Sequence, residues 1–362
     1  MRRPSFAPAL LALLTAAMPA GAEEPVTVVS WGGAYEQAQR RAIFEPFTNA
    51  TGIELEIVRY SGGLDALRER AAAEGWDVVD MLEDQAIAAC ESGLLRRIDP
   101  QSVVEPLPDA SLAADFVPGA FRDCSVAQNL FATVFAYDER AFPGLKPRRI
   151  EDFFDLEAFP GPRAIEKSPD VILEWALMAE GVPASQVYDL LSTDRGLRLA
   201  FRKLDEIRNA IVWWQDPATP AALLRDGRAV MASGYNGRFF AVARAEDAPV
   251  TVVWDGRLIG YDVWAVSADS DRPEAAERFL RFATAPEPLA RLAELIPYGP
   301  ARRSALQRVG LHPETRIPMR NHLPNAPQHG ERALIRDSLW YAHTAALRAR
   351  RFEAWLASGE AD

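Results

Sequence analysis

The sequence predicts an α/β protein made of two lobes. Strand and helix patterns alternate along the chain from Val26, as they do in domains with parallel sheets. The middle of the chain repeats this alternation with different residues, and no Gly- or Ser-rich linker or internal repeat separates the two parts. The 362 residues suffice for two domains of ordinary size. We therefore predict two lobes, each a mixed, mainly parallel sheet flanked by helices, joined by structured segments.

The first residues have the pattern of a secretory signal peptide. Arg2 and Arg3 precede an apolar stretch at 6–18, and small residues lead to Ala22. The stretch is short for a membrane span, which disfavours an uncleaved anchor. We expect cleavage after Ala22, so that residues 1–22 are removed and the mature protein is periplasmic. Loss of the two arginines changes the formal net charge from -11 to -13, and such a surface repels nucleic acids and anionic lipids.

Three successive strand–helix cycles predict the first lobe. The strands are 26–30, 53–57 and 76–81, and the helices are 35–47, 64–73 and the segment between Asp84 and Gly93. Strand 26–30 is continuously apolar and predicted to be buried, whereas 53–57 alternates as a half-buried strand does. Gly52 and Gly93 suit helix C-termini, and Asp84 can cap the start of the third helix.

The second half of the chain has a similar organisation. Predicted strands are 163–165, 211–214, 229–232, 250–254 and 261–266, and predicted helices are 171–179, 195–208, 221–225, 275–282, 289–295 and a terminal helical region at 332–356. We expect the helices at 275–295 to return to the first lobe. The prediction is a first lobe of residues 23–133 and 262–301, and a second lobe of residues 134–261 and 302–362.

Cys90 and Cys124 are the only cysteines of the chain. An oxidising compartment leaves few thiols free, so we predict that they form a disulfide. Two buried free thiols are the alternative.

No catalytic motif stands out in the sequence. There is no glycine-rich loop followed by Lys-Ser/Thr and no G-x-S-x-G elbow. The four histidines lack metal-ligand spacing and are expected at the surface; they are His312, His322, His329 and His343. We expect no enzyme, metal or cofactor, although acids are plentiful enough to leave a secreted carboxylate-dependent glycoside hydrolase as the enzyme-class alternative.

Several short segments occur in a fixed order over nearly the whole mature chain. They include Ser30-Trp31-Gly32-Gly33-Ala34-Tyr35, Trp76-Asp77-Val78-Val79, Tyr235-Asn236-Gly237-Arg238, Tyr261-Asp262-Val263-Trp264 and Tyr298-Gly299-Pro300. Through them the sequence resembles the bacterial extracellular solute-binding proteins of spermidine/putrescine ABC transporters. The resemblance implies a two-lobe periplasmic binding protein fold of type II, a small ligand enclosed by lobe rotation, and a membrane ABC permease as partner. We expect a monomer.

The resemblance also implies a ligand site. Asp262 matches an ammonium-binding acid, with a turn residue or a partner for Arg257 as the alternative interpretation. Trp31, Tyr235 and Tyr298 match aromatic walls of the cleft, and each could instead be an ordinary packed aromatic residue. Carboxylates and aromatic faces suit a protonated amine, so the first prediction is a small cationic amine such as putrescine or spermidine.

Further acids are candidates for the site, and two other features favour a different ligand. Glu83 and Asp84 follow the third strand and could face the cleft, while Asp170 and Glu174 lie where relatives carry acids. Where relatives often carry a polar or aromatic pair after the tryptophan, this chain has Gly32, Gly33 and Ala34. Arg238 could bind a carboxylate, so a zwitterion such as 4-aminobutyrate or another amino acid is the alternative ligand.

Overall fold

A computed structural model describes residues 24–108, 111–245, 248–330 and 332–359. The predicted signal peptide and its cleavage site lie outside these residues. Within them, eleven strands form one mixed sheet with the central order β2-β1-β3-β9-β5-β8-β6-β7. The strands are β1 Val26–Ser30, β2 Leu55–Arg59, β3 Val78–Leu82, β4 Phe121–Arg122, β5 Ser125–Asp138, β6 Arg163–Glu166, β7 Ile211–Trp214, β8 Met231–Tyr235, β9 Val250–Val266, β10 Gly299–Pro300 and β11 Ala333–Ile335.

Helices flank this sheet. The α-helices are α1 Gly33–Gln39, α2 Glu45–Thr51, α3 Leu64–Glu74, α4 Glu83–Glu91, α5 Pro100–Val103, α6 Leu112–Asp115, α7 Ile150–Phe154, α8 Ile172–Ala179, α9 Val187–Leu191, α10 Asp194–Asp205, α11 Thr219–Arg225, α12 Asn236–Ala245, α13 Pro273–Ala283, α14 Pro286–Leu295, α15 Arg303–Leu306 and α16 Ser338–Ser358. A π-helical turn, Arg40–Phe44, joins α1 to α2, and 3-10 turns lie at Ala184–Gln186, Arg208–Ala210, Met319–His322 and Pro327–His329.

The three predicted strand–helix cycles are present at one end of the sheet. There β1 pairs in parallel with both β2 and β3. Gly52 ends α2 in the left-handed conformation, with φ of 76°, which a residue without Cβ adopts at little cost. At the other end of the sheet, β6 pairs in parallel with β7 and β8.

Two long antiparallel strands, β5 and β9, connect the ends of the sheet. Residues 125–127 of β5 pair with 263–265 of β9, and residues 135–138 pair with 250–253. The sequence analysis did not predict β5, because all fourteen of its residues are buried and show no alternation. It also divided β9 into two strands. Gly256, with φ of 73°, accommodates an irregularity within the single strand.

Two core clusters define what we call lobe 1 and lobe 2. The lobe 1 core draws its residues from 26–131 and 259–301, and the lobe 2 core from 135–258 and 334–355. The predicted lobe boundaries stay a prediction.

In lobe 1 the predicted disulfide is present: it joins Cys90 to Cys124, whose Cα atoms lie 5.8 Å apart.

None of the helices in the described ranges is long and apolar enough to span a bilayer.

The four histidines differ in exposure. His343 is exposed, whereas His312, His322 and His329 are half-buried. His329 stacks on Trp254 at 3.8 Å between ring centroids, and burial lowers its pKa to about 4.

Candidate ligand-binding site

Trp31 stands at the end of β1 and is held there by contacts from two neighbouring strands. Its indole Nε1 donates a hydrogen bond to Asp80 Oδ1 at 3.2 Å, and its ring lies 5.0 Å from that of Tyr60. A Cβ atom on Gly62 would come within 2.9 Å of the indole, so only glycine allows this approach. The tryptophan is half-buried and is available as one wall of a cleft.

Asp80 is a buried carboxyl group that the sequence analysis did not select. Gln39 Nε2 donates to its Oδ2 at 2.6 Å, and Ser30 Oγ donates to Gln39 Oε1 at 2.6 Å. Burial raises the pKa of Asp80 to about 7, although the hydrogen bonds from Gln39 and Trp31 act in the opposite direction. An aspartate inside the apolar strand 76–81 was the available signal, since burying a carboxylate is costly.

Asp262 lies on β9 next to this carboxyl group. It pairs in register with Leu82 of β3, and Asp80 pairs with Trp264. Because side chains two residues apart lie on the same face of a strand, both aspartates lie on one face and are diagonal neighbours. Asp262 is 6% exposed, and its side chain has no hydrogen-bond or ion-pair partner within the described ranges. Burial and, second, the charge of Asp80 raise its pKa well above the usual value.

Arg257 does not pair with Asp262. Its guanidinium donates instead to the carbonyl oxygens of Pro324, Trp254, His329 and Gly330. The alternative interpretation of Asp262 as the partner of Arg257 is therefore wrong.

The charge of Asp262 acts on both Tyr298 and Tyr235, and the half-buried Tyr235 packs against Phe131 with 5.6 Å between ring centroids. The Tyr298 ring is 5.6 Å from that of Tyr35, and a Cβ atom on Gly237 would lie within 2.9 Å of it. Burial and the nearby Asp262 raise the pKa of Tyr298, whereas Arg238 lowers it. The carboxyl group of Asp262 and the guanidinium of Arg238 therefore both lie close enough to Tyr298 to affect its pKa.

Arg238, on α12, extends towards the start of α1. A Cβ atom on Gly33 would lie 3.5 Å from Arg238 Nη1, so the two lobes meet at this point. The side chain is half-buried and makes no hydrogen bond or ion pair with any residue that the structure describes. Gly33 has no side chain, and the space beside it holds the guanidinium.

The other predicted acids have partners already. Asp84 Oδ2 lies 3.2 Å from Arg336 Nη2. It does not cap α4, because the N-cap position is Leu82 and has no side-chain cap; the prediction of a cap is wrong. Glu83 accepts hydrogen bonds from Arg122 at 2.7 Å and from Ser338 at 2.6 Å.

In lobe 2, Asp170 pairs with Arg348 and lies 3.6 Å from Arg336 Nη2. Glu174 accepts a hydrogen bond from the Tyr341 hydroxyl. These acids therefore hold neighbouring elements together.

Glu166, the last residue of β6, is a second acid that the sequence analysis missed. It is half-buried, and its side chain has no hydrogen-bond or ion-pair partner in the described part of the chain. Burial raises its pKa to about 7, and Arg336 opposes this shift. The predicted strand 163–165 ended one residue too early to include it.

The fold and this arrangement together define a class of protein. Two α/β lobes share continuous strands, and where they meet lie aromatic side chains and charged groups of both signs that have no partner among the residues the structure describes. This is the architecture of a protein that encloses a small charged solute. Residues 42–318 match the family described as bacterial extracellular solute-binding protein, and the chain belongs to this family.

Individual relatives agree with this assignment. The chain is 35% identical to the gamma-aminobutyric acid-binding protein of Pseudomonas aeruginosa, over 96% of this chain and 95% of that protein. An ABC transporter substrate-binding protein from Bradyrhizobium japonicum has a similar structure, with a TM-score of 0.81, 30% identity, and coverage of 92% of this chain and 99% of that one. The structure titled Atu4243-GABA receptor matches with a TM-score of 0.77, 26% identity, and coverage of 92% and 97%.

These findings confirm the predicted periplasmic binding protein fold. The chain is a substrate-binding component of an ABC importer, which implies a permease as its partner. Its relatives are binding proteins and not enzymes, so the glycoside hydrolase alternative is set aside. The description of the family as bacterial extracellular solute-binding proteins fits a periplasmic location.

Proposed function

We propose that the ligand is a zwitterionic amino acid of the 4-aminobutyrate type, whose carboxylate pairs with Arg238 and whose ammonium pairs with Asp262. One observation carries this proposal: Arg238 is an unpartnered guanidinium in the same surroundings as an unpartnered carboxyl group. Both act on Tyr298, one lowering and the other raising its pKa. The proposal therefore replaces the cationic amine as the first candidate.

The carboxylate end of such a ligand suits Arg238. A guanidinium presents donors in a planar fork that matches a carboxylate in a bidentate manner. A half-buried cation without a partner is costly, and a ligand carboxylate would remove this cost. Arg238 comes from lobe 2 and lies beside Gly33 of lobe 1, so a ligand held there contacts both lobes.

The ammonium end suits the Asp262 region. Two carboxyl groups on one face, both buried, cannot easily ionise together. A ligand ammonium would supply the missing positive charge, while Trp31 and Tyr298 would contact the methylene groups. The name of the P. aeruginosa relative, a gamma-aminobutyric acid-binding protein, supports the same ligand type.

A polyamine is the second candidate, and the unpartnered carboxyl groups of Asp262 and Glu166 favour it. A diamine, however, has no group for Arg238 and would bring a second positive charge towards it. This argument ranks 4-aminobutyrate above putrescine.

Isothermal titration calorimetry tests the ranking. The panel is 4-aminobutyrate, 5-aminovalerate, butyrate, putrescine, spermidine and common amino acids. We expect a zwitterion to bind most tightly, with butyrate and putrescine each at least tenfold weaker because each lacks one charged end. Tighter binding of putrescine than of every zwitterion would restore the cationic amine as the ligand.

A further inference from the structure

We infer that Glu166 is a second ligand for the substrate's ammonium group, contributed by lobe 2, and that it determines specificity for amines. This inference rests on the proposed function in that it assumes a ligand with a cationic end. It adds a residue outside the set predicted from the sequence.

The position of Glu166 follows from the sheet. Ligands of open α/β sheets bind beyond the carboxyl ends of parallel strands. Glu166 is the last residue of β6 and pairs in register with Trp214, the last residue of β7. Its side chain therefore stands at the edge of lobe 2 where a ligand is expected.

Glu166 and Asp262 share one aromatic neighbour. Ala164 of β6 pairs with Ala232 of β8, which places Glu166 close to Tyr235 near the ends of these two strands. Burial, and then the charges of Glu166 and Asp262, raise the pKa of Tyr235, whereas Arg336 lowers it. Asp262 belongs to the end of β9 that pairs with β3 of lobe 1, whereas Glu166 belongs to lobe 2. The two unpartnered acids thus approach the same tyrosine from different lobes.

Arg336 does not neutralise Glu166 by a direct ion pair. Its Nη2 lies 3.2 Å from Asp84 and 3.6 Å from Asp170, and its guanidinium carbon lies 3.5 Å from the Tyr341 ring centroid. No ion pair between Arg336 and Glu166 is present. The charge of Arg336 lowers the pKa of Glu166 from a distance, but the carboxylate oxygens of Glu166 accept no hydrogen bond from any described residue.

An ammonium group has the donors to serve both acids. It carries three N–H groups, and a single carboxylate on one side of the cleft leaves some of them without an acceptor once water is excluded. Asp262 from one lobe and Glu166 from the other would provide acceptors on two sides. Closure of the lobes would then strengthen binding of an amine and not of a ligand that lacks one.

The test compares Glu166→Gln with wild type by calorimetry, using 4-aminobutyrate, butyrate and putrescine. Glu353→Gln, an exposed position on α16, is the matched control. We expect Glu166→Gln to bind 4-aminobutyrate at least tenfold more weakly than wild type does, and to bind butyrate equally well or slightly more tightly. Equal affinity of Glu166→Gln and wild type for the amine overturns the inference.

The outcomes separate this inference from the proposed function. If wild type prefers putrescine to every zwitterion, the proposed function fails, but Glu166→Gln should still lose at least tenfold for putrescine. If wild type binds 4-aminobutyrate and Glu166→Gln binds it equally well, only the inference fails. A wild type that binds no amine overturns both. If Glu166→Gln folds poorly, Glu166→Asp is measured in its place. The ratio of its affinity for 4-aminobutyrate to its affinity for butyrate is then compared with the same ratio in wild type.

Discussion

Arg238 and Gly33 face each other across the two lobes, with Nη1 of the arginine 3.5 Å from the position of a Cβ atom on the glycine. Gly32, Gly33 and Ala34 carry little or no side chain at this point, and the guanidinium lies beside Gly33. The start of α1 therefore lies next to a group that suits an anion.

Arg238→Met should remove the carboxylate contact and keep much of the side-chain stem. Losing hydrogen bonds to a charged group costs roughly 1.5 to 3 kcal/mol, which is about tenfold to a hundredfold in Kd. We expect 4-aminobutyrate to weaken by this amount in calorimetry and putrescine to be unaffected or tighter. Arg350→Met, at an exposed position of α16, is the control. Unchanged binding of 4-aminobutyrate would remove Arg238 from the site.

Asp262→Asn should weaken binding of the amine by a similar amount, about 1.5 to 3 kcal/mol. The same substitution removes a buried charge next to Asp80. Burial and the charge of Asp80 both disfavour the ionised form of Asp262, so we expect the unliganded variant to be at least as stable as wild type at pH 8, by denaturant unfolding. Asp189→Asn, exposed on α9, is the control. A folded Asp262→Asn that binds the amine like wild type would contradict the assignment.

Binding and stability should depend on pH in opposite directions. In the folded, unliganded protein the pKa of Asp80 is raised to about 7 and that of Asp262 is also raised, whereas unfolded aspartates titrate near pH 4. Between about pH 4 and 7 the folded state therefore binds more protons, and its stability falls as pH rises. Ionised carboxylates bind an ammonium better, so affinity should rise over the same range.

Thermal unfolding with and without 4-aminobutyrate, at pH 5.5 and at pH 8, measures this difference. We expect the increase in Tm caused by saturating ligand to be larger at pH 8. In Asp262→Asn, the increase in Tm caused by the ligand should lose most of its dependence on pH. An equal or larger increase at pH 5.5 would show that the carboxyl pair does not control binding.

The disulfide should stabilise lobe 1 without forming part of the site. Cys90 and Cys124 are 34 residues apart, and closing a loop of this size contributes roughly 3 to 4 kcal/mol in the chain-entropy model. We expect the double Cys→Ser variant to unfold at lower denaturant concentration and to retain ligand affinity. A loss of affinity in the folded variant would show that the bridge also positions the cleft.

Local sequence patterns predicted the elements that repeat regularly. A continuous apolar run predicted the buried strand at 26–30, and a glycine predicted the helix end at Gly52. Both signals are local in the sequence. The strand β5 was missed because it is buried along its whole length, so its residues show no alternation between core and solvent.

The site was predicted less completely than the fold. Asp262 and Tyr298 entered through the family resemblance, and the structure brings them near Arg238. Asp80 and Glu166 were missed because their significance depends on which charged groups lie nearby, and those neighbours come from distant parts of the chain. Asp84 was assigned a local role as a cap, whereas its partner, Arg336, is more than 250 residues away.

The two long strands also govern how the chain can fold. Strand β3, formed early in the sequence, needs β9 as its neighbour, and β9 lies after most of lobe 2. Lobe 2 in turn uses Phe352 and Trp355 near the end of the chain to complete its core. A nascent chain ending before residue 250 therefore contains neither lobe in finished form. We expect the protein to unfold in one cooperative transition, with fragments of either lobe unable to fold alone.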